Sequence, residues 1–92
     1  MINLFKTKTH PIIGYSYAVT TGTYVGEILV FIEETEEDLK FISIPKNINR
    51  TIPKEKFTLG LNQKIVEIVE QMPKSVFKLL KKQFEFNNTI NK

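Results

Sequence analysis

The residues best suited to binding chemistry are lysines near the end of the chain, in the stretch KSVFKLLKK. Four lysines alternate there with apolar residues: Lys74, Lys78, Lys81 and Lys82. On a helix these lysines fall on the side away from the apolar stripe. Such a row suits an acidic partner, because each phosphate that it neutralises releases condensed counterions. The same spacing is also typical of a solvated polar face without any ligand, since cations near a helix C-terminus interact favourably with the helix dipole.

The second candidate site is the stretch PKNINRTIP, which contains Arg50, the only arginine of the chain. Its planar guanidinium can hold a carboxylate or a phosphate with two parallel hydrogen bonds. Lys46 and Lys54 flank it, and loops on a rigid sheet often carry binding residues. The alternative is a structural role, in which Arg50 pairs with an acidic neighbour such as Glu27 or Glu55.

Catalytic chemistry has little support in the sequence. The chain has no cysteine, which excludes thiol catalysis, thiolate metal sites and disulfides. The one histidine, His10, precedes a proline, and neither a nucleophile motif nor a glycine-rich phosphate loop is present. The acidic run EETEED lacks the alternating ligands and central glycine of a calcium loop. We therefore predict a protein that is not an enzyme and that uses no metal or cofactor.

Length and charge indicate one small domain with a dipolar surface. A chain of 92 residues, 41% hydrophobic and 25% charged, has a globular composition and too little core to divide. The acidic run at 33–38 has five acids, whereas from Leu39 onward eleven bases face four acids. The longest apolar run, ILVFI, is far below the roughly 20 residues that span a bilayer. With no apolar signal segment at the start, we expect a cytoplasmic protein without a membrane partner.

Hydrophobic periodicity predicts the elements that must position these residues. Strands are expected at 12–20, at 23–33, at 39–44 and, more briefly, around 50–52, with the acidic run as a hairpin loop. The second strand is apolar on both faces, and its Gly26 indicates a bulge or a close backbone approach.

The period then changes from 2 to 3.6. Ile65, Ile68, Val69 and Met72 follow helical spacing and predict a first helix, with Asn62 as its N-cap. Because a proline is favoured in a first turn, a second helix is predicted from Pro73 to about Phe84. A single kinked helix is the alternative, because the apolar stripe continues across the proline. These are the residues that continue it: Val76, Phe77, Leu80 and Phe84.

This order predicts an α+β fold, with a curved antiparallel sheet of three to four strands followed by a C-terminal helical hairpin or kinked helix. The single domain, 1–92, would have a sheet part at 10–57, a helical part at 58–86 and a frayed tail at 87–92. The short curved strands and glycine bulge of 10–57 resemble small SH3-like barrels. One core cluster is expected, made of Ile28, Val30, Phe31, Phe41, Ile65, Val69 and Leu80.

The resulting functional prediction is a small non-enzymatic binding protein that docks an acidic macromolecule, either nucleic acid or protein. Its basic face would combine the helix lysines with the arginine loop: Arg50, Lys46, Lys54, Lys74, Lys78, Lys81 and Lys82. One alternative is a protein-interaction, inhibitor or accessory module, of the kind a phage or mobile element encodes, without nucleic-acid contact. Another is an oligomerising structural subunit. The basic face requires Arg50 and the lysine row to lie on the same side of the fold.

Overall fold

The computed structural model describes residues 10–90 and forms one α+β domain. Its elements, in chain order, are β1 (Tyr15–Val19), β2 (Ile28–Glu34), β3 (Asp38–Ser43), β4 (Ile48–Pro53), α1 (Lys54–Asn62), β5 (Val66–Gln71) and α2 (Lys74–Ile90). The strands pair in the order β4-β3-β2-β1-β5, and every pair is antiparallel. The predicted class, an antiparallel sheet with a C-terminal helix, is confirmed; the SH3-like barrel stays a prediction.

The sheet is buried on both faces, because the side chains of β2 alternate between two apolar clusters. Leu29 and Phe31 enter the cluster on one face, which we call the α1 face. Val30 and Ile32 enter a separate cluster on the other face, which we call the α2 face. The prediction that this strand is buried on both sides is confirmed, whereas the single core cluster is wrong. Two buried faces need two covering layers.

Helix α1 covers one of these faces with a single aromatic anchor. The Phe57 ring stands edge-on to the Tyr17 ring, with 5.3 Å between their centroids, and its centroid lies 4.8 Å from that of Phe41. The Tyr17 hydroxyl accepts a hydrogen bond of 2.8 Å from the Ile12 N–H, and burial raises the pKa of that hydroxyl. Aromatic pairs of this kind add about 0.5–1.5 kcal/mol beyond the area they bury.

Helix α2 covers the other face along one narrow stripe. Phe84 is buried, and Phe77 and Leu80 pack beside it. All three contact the apolar cluster of the α2 face, which consists of Val30, Ile32 and Ile42. The spacing of these three α2 residues places them on one side of the helix. The predicted second helix is therefore confirmed, although it extends six residues beyond Phe84, to Ile90.

A network of side-chain amides fastens the end of α2 to the β3–β4 hairpin. The Asn49 Nδ2 group donates to the Phe84 carbonyl oxygen at 2.9 Å and to Asn88 Oδ1 at 2.8 Å. The Asn87 Nδ2 group donates to the Asn47 carbonyl oxygen at 3.3 Å and to Asn49 Oδ1 at 3.2 Å. The predicted frayed tail is therefore wrong for 87–90, and its last two residues lie outside the described residues.

The predicted first helix is also wrong, because 66–71 form the edge strand β5. A run rich in β-branched residues favours a strand, and its pairing with β1 gives the backbone N–H and C=O groups along one edge their hydrogen-bond partners. Only Val66 of β5 is buried, so the helical spacing of the apolar residues in this segment did not correspond to a face that packs on the core. The strand contains a bulge: Ser16 pairs with Glu70, Tyr17 pairs with Ile68, and the residue between them on β5 is unpaired.

The other boundaries shift because an additional helix, α1, occupies Lys54–Asn62. Asn62, the predicted N-cap, therefore ends a helix instead of beginning one. Sheet and helix therefore interleave after Pro53, unlike the predicted division at residue 57. Within 10–90, no helix is long and apolar enough to cross a membrane.

We expect Asn87→Ala to lower the free energy of unfolding by roughly 1–3 kcal/mol, because Asn49 Oδ1 on the hairpin and Gln83 Nε2 on α2 both lose this hydrogen-bond partner. The matched control is Thr89→Ala, two residues further on the exposed side of α2, which should change stability by less than about 0.5 kcal/mol. Urea denaturation of both variants measures the difference. Equal effects at the two positions would contradict the docking of this helix end.

Candidate functional site

Three of the predicted lysines line one shallow groove at the start of α2: Lys74, Lys78 and Lys81. Its apolar lining includes Ile13, Met72 and Phe77, and its volume is about 390 Å³. The groove forms where β5 runs directly into α2. The Met72 N–H donates to the Gly14 carbonyl oxygen at 2.8 Å, which holds the segment before β1 at the groove. We call this feature the lysine groove.

The ammonium groups of the lysine groove are not neutralised within the described part of the chain. All three side chains are exposed. The salt bridges found among residues 10–90 join Glu27 to Arg50 and Lys46, and Glu34 to Lys54, so none involves α2. The fourth lysine of the row, Lys82, is also exposed but does not line the groove. The groove thus combines an apolar floor with positive charge that has no salt-bridge partner among residues 10–90.

Arg50 has the structural role that the sequence offered as the alternative. Its Nε donates to Glu27 Oε1 at 3.1 Å, and its second terminal nitrogen donates to Glu27 Oε2 at 2.7 Å. The guanidinium carbon lies 4.2 Å from the centroid of the Tyr24 ring, at cation–π distance. Lys46 adds a weaker contact, with its Nζ 3.7 Å from Glu27 Oε2. The bidentate grip of Arg50 is therefore already used inside the protein.

The turn before β2 brings this cluster together. Gly26 has a φ of +90°, which glycine adopts without steric cost, and its N–H donates to the Val19 carbonyl oxygen at 2.9 Å. The predicted strand at 23–33 consequently begins only at Ile28. The turn leaves Glu27 buried, where hydrogen bonding from Arg50 lowers the pKa of the carboxyl against the opposing effect of burial. The same hydrogen bonding raises the pKa of Arg50.

Arg50 and the lysine groove lie on opposite faces of the sheet. Arg50 pairs across the ladder with Phe41, which belongs to the cluster on the α1 face, and directly opposed residues share a face. The neighbouring Asn49 points the other way and bonds to α2. Lys54 pairs with Glu34 at 2.9 Å, on a partly exposed surface. The structure does not bring the seven predicted binding residues together as one basic face.

Beneath α1 lies a cavity of about 380 Å³ with a largely apolar lining that includes Leu29, Ile52 and Phe57. Threonine hydroxyls and Lys56 supply polar groups, and no carboxylate from residues 10–90 lines the cavity. Among residues 10–90, no group of histidine and acidic side chains is placed to hold a metal ion.

Sequence reasoning missed a second apolar stripe on α2. Val76, Leu79, Phe86 and Ile90 are 39%, 67%, 57% and 61% exposed. Together with Gln83 they follow a repeat of three and four residues, which is the heptad spacing of helices that pack on other helices. We call these five residues the heptad stripe. The spacing is visible in the sequence, but its exposure is not, because Val76 also continues the core-facing pattern.

No protein-family model, no curated protein and no solved structure matches this chain.

We expect Glu27→Gln to lower the free energy of unfolding by about 3 kcal/mol, the low end for breaking a buried ion pair, because Arg50 keeps some contact with water. Glu36→Gln, at the exposed hairpin tip, is the matched control and should change stability by less than about 0.5 kcal/mol. Thermal and urea unfolding measure both. A loss at Glu27 no larger than that at Glu36 would mean that the cluster does not stabilise the fold.

The same ion pair predicts a direction for acid sensitivity. Because the pKa of Glu27 is lowered in the folded protein, its contribution to stability is complete above the ordinary value of 4.5 and is lost as the pH falls through the lowered value. The stability difference between the wild type and Glu27→Gln should therefore shrink as the solution is acidified below pH 4.5. A difference that stays constant down to about pH 2 would contradict this assignment.

Proposed function

We propose that this chain is a small binding protein, without catalytic activity of its own, that docks an acidic macromolecular surface through the lysine groove. The observation that carries the proposal is the convergence of Lys74, Lys78 and Lys81 on one groove, with no carboxylate partner within residues 10–90. Exposed lysines scattered singly are ordinary, whereas three that line a single depression form a local positive potential.

The chemistry of the groove suits a chain of anionic groups. Lysine ammonium groups on flexible stems follow phosphates or carboxylates without strict geometry. The stems of Lys74 and Lys78 can lie along the apolar floor formed by Met72 and Phe77 while their charges reach the partner. Neutralising such a partner releases its counterions, so its affinity should depend on salt.

The proposed surface is smaller than the one predicted from the sequence. Arg50 and Lys46 contact Glu27, and Lys54 contacts Glu34, so these three residues support the fold and are not part of the proposed groove. We propose a cytoplasmic location for this activity, which a cysteine-free chain suits. The SH3-like resemblance over 10–57 remains part of the proposal, supported by the antiparallel succession of β1 to β4.

A second candidate function is a protein-interaction module that makes no nucleic-acid contact. The observation in its favour is the heptad stripe, whose exposed leucine, phenylalanine and isoleucine would be of no use to a phosphate backbone. Self-association through that stripe would make the chain an oligomerising subunit, which is the third candidate.

The test compares two variants that carry the same change of charge. In the groove variant, Lys74, Lys78 and Lys81 are changed to Gln; in the control, Lys40, Lys56 and Lys64 are changed to Gln. The probes are a fluorescein-labelled polyglutamate peptide and a labelled DNA duplex of about 20 base pairs, measured by fluorescence anisotropy at several salt concentrations.

We expect the groove variant to bind the preferred probe about tenfold more weakly, which corresponds to three exposed ion contacts of about half a kilocalorie per mole each. For the duplex, the slope of log K against log salt should become less steep by nearly 0.9 for each phosphate contact that is lost, and we expect about three contacts to be lost. The control variant should change less on both counts. Equal losses in the two variants would show that only net charge matters, and the groove would not be the site.

A further inference from the structure

We propose that the heptad stripe of α2 docks a protein that carries an acidic amphipathic α-helix, whose apolar side packs on the stripe. This inference rests on the second candidate function and names the class of its partner, because the heptad stripe and the lysine groove lie on opposite sides of α2. Leu79, Phe86 and Ile90 are each more than half exposed, although large apolar side chains at helix–helix spacing are the ones a partner helix buries. Over the 17 residues of α2, the helix is about 25 Å long, enough for two heptads of contact.

The heptad stripe is separate from the stripe that holds α2 to the sheet. Phe77, Leu80 and Phe84 contact the α2 face, whereas Leu79 and Phe86 lie on the neighbouring side of the helix. The only polar member of the heptad stripe, Gln83, donates from Nε2 to Asn87 Oδ1 at 2.9 Å. That bond ties it to the amide network which docks α2. The stripe is therefore displayed on a helix whose position is already fixed, and a preorganised surface binds at lower entropic cost.

Charge next to the heptad stripe selects an acidic helix over a second copy of this chain. Lys82 comes three residues after Leu79 and four before Phe86, so it is a surface neighbour of both. Lys78 precedes Lys82 by one turn. Of the α2 lysines, Lys82 is the one that borders the stripe, and a second copy paired antiparallel about Gln83 would bring two Lys82 side chains together. A helix whose apolar side is flanked by glutamates would be complementary instead.

The same surface argues against nucleic acid as the partner. A phosphate backbone could contact Lys78 and Lys82 but would leave Leu79 and Phe86 in water. An acidic amphipathic helix engages both kinds of residue at once, with its apolar side chains on the stripe and a carboxylate on Lys82. Apolar contact then supplies affinity, and Lys82 supplies orientation and selectivity.

The experiment uses a synthetic helical peptide of three heptads as the probe. It has leucine at the a and d positions, glutamate at e and g, and alanine or glutamine elsewhere; repulsion between its glutamates keeps it monomeric. One control peptide replaces the leucines by serine and keeps the charge. A second control replaces the glutamates by lysine and keeps the apolar side. Binding to the full chain is measured by fluorescence anisotropy, and the mass of the free protein by sedimentation.

We expect the glutamate–leucine peptide to bind and both control peptides to bind much more weakly. The variant Leu79→Gln with Phe86→Gln should lose at least about thirtyfold in affinity, because two large apolar contacts are removed. Leu59→Gln is the matched control, since Leu59 is 53% exposed on α1, and it should bind as the wild type does. Lys82→Gln should weaken binding and reduce its dependence on salt.

Each contrary outcome identifies which claim is wrong. If the Leu79 and Phe86 variant binds the peptide like the wild type while the groove variant does not, the helix inference is overturned and the lysine groove stands. If the stripe variant loses binding and the groove variant does not, the helix inference stands, and the lysine groove takes no part in that interface. Equal binding of the lysine-substituted peptide overturns the acidic partner. Self-association of the free protein that disappears in the stripe variant overturns the inference in favour of a second copy.

Discussion

Burial of the central strands on both faces of the sheet is the constraint on which the rest of the structure depends. Leu29 and Phe31 point to one side and Val30 and Ile32 to the other, so a single covering layer would leave half of the apolar surface in water. Helix α1 supplies one layer through Phe57. The chain then returns through β5, which pairs with β1 and delivers α2 to the opposite face. The order of the elements after β4 follows from this need for two covers.

The same alternation decides which basic groups are free to bind. Arg50 points to the α1 face, where it neutralises the buried Glu27, and its neighbour Asn49 points to the α2 face, where it fastens the C-terminal helix. Two consecutive residues of β4 therefore have different roles: Arg50 forms a structural ion pair, and Asn49 holds the helix to the sheet. Since the sheet uses only one narrow side of α2, the lysines and the heptad stripe remain on its outer sides.

The exposed edge of β5 is protected by Glu67, by Glu70 and by a bulge, which are common features that prevent edge-to-edge pairing of strands.

Strands β1 to β4 could be predicted because alternation or continuous apolarity identifies a strand from its own residues. Strand β5 could not be predicted in this way, because an exposed edge strand has no buried face that would give an alternating apolar pattern. It forms through pairing with β1, for example where Ser16 contacts Glu70, 54 residues further along the chain. Both roles of Arg50 could be predicted, and its two hydrogen bonds to the buried Glu27 decide between them. The heptad spacing was present in the sequence. Its exposure depended on which of two adjacent stripes the sheet covers, and that is a property of the assembled fold.

Native-state hydrogen exchange tests most directly whether α2 is a fixed layer of this fold that displays a built surface. If the packing of Phe84 and the amide network hold the helix, its amides from about Leu80 to Asn88 should open with the same free energy as those of β2 and β3. The Asn87→Ala substitution should then reduce protection in all of these elements together. Exchange of the α2 amides close to the rate of an unstructured peptide, with β2 and β3 still protected, would contradict the account.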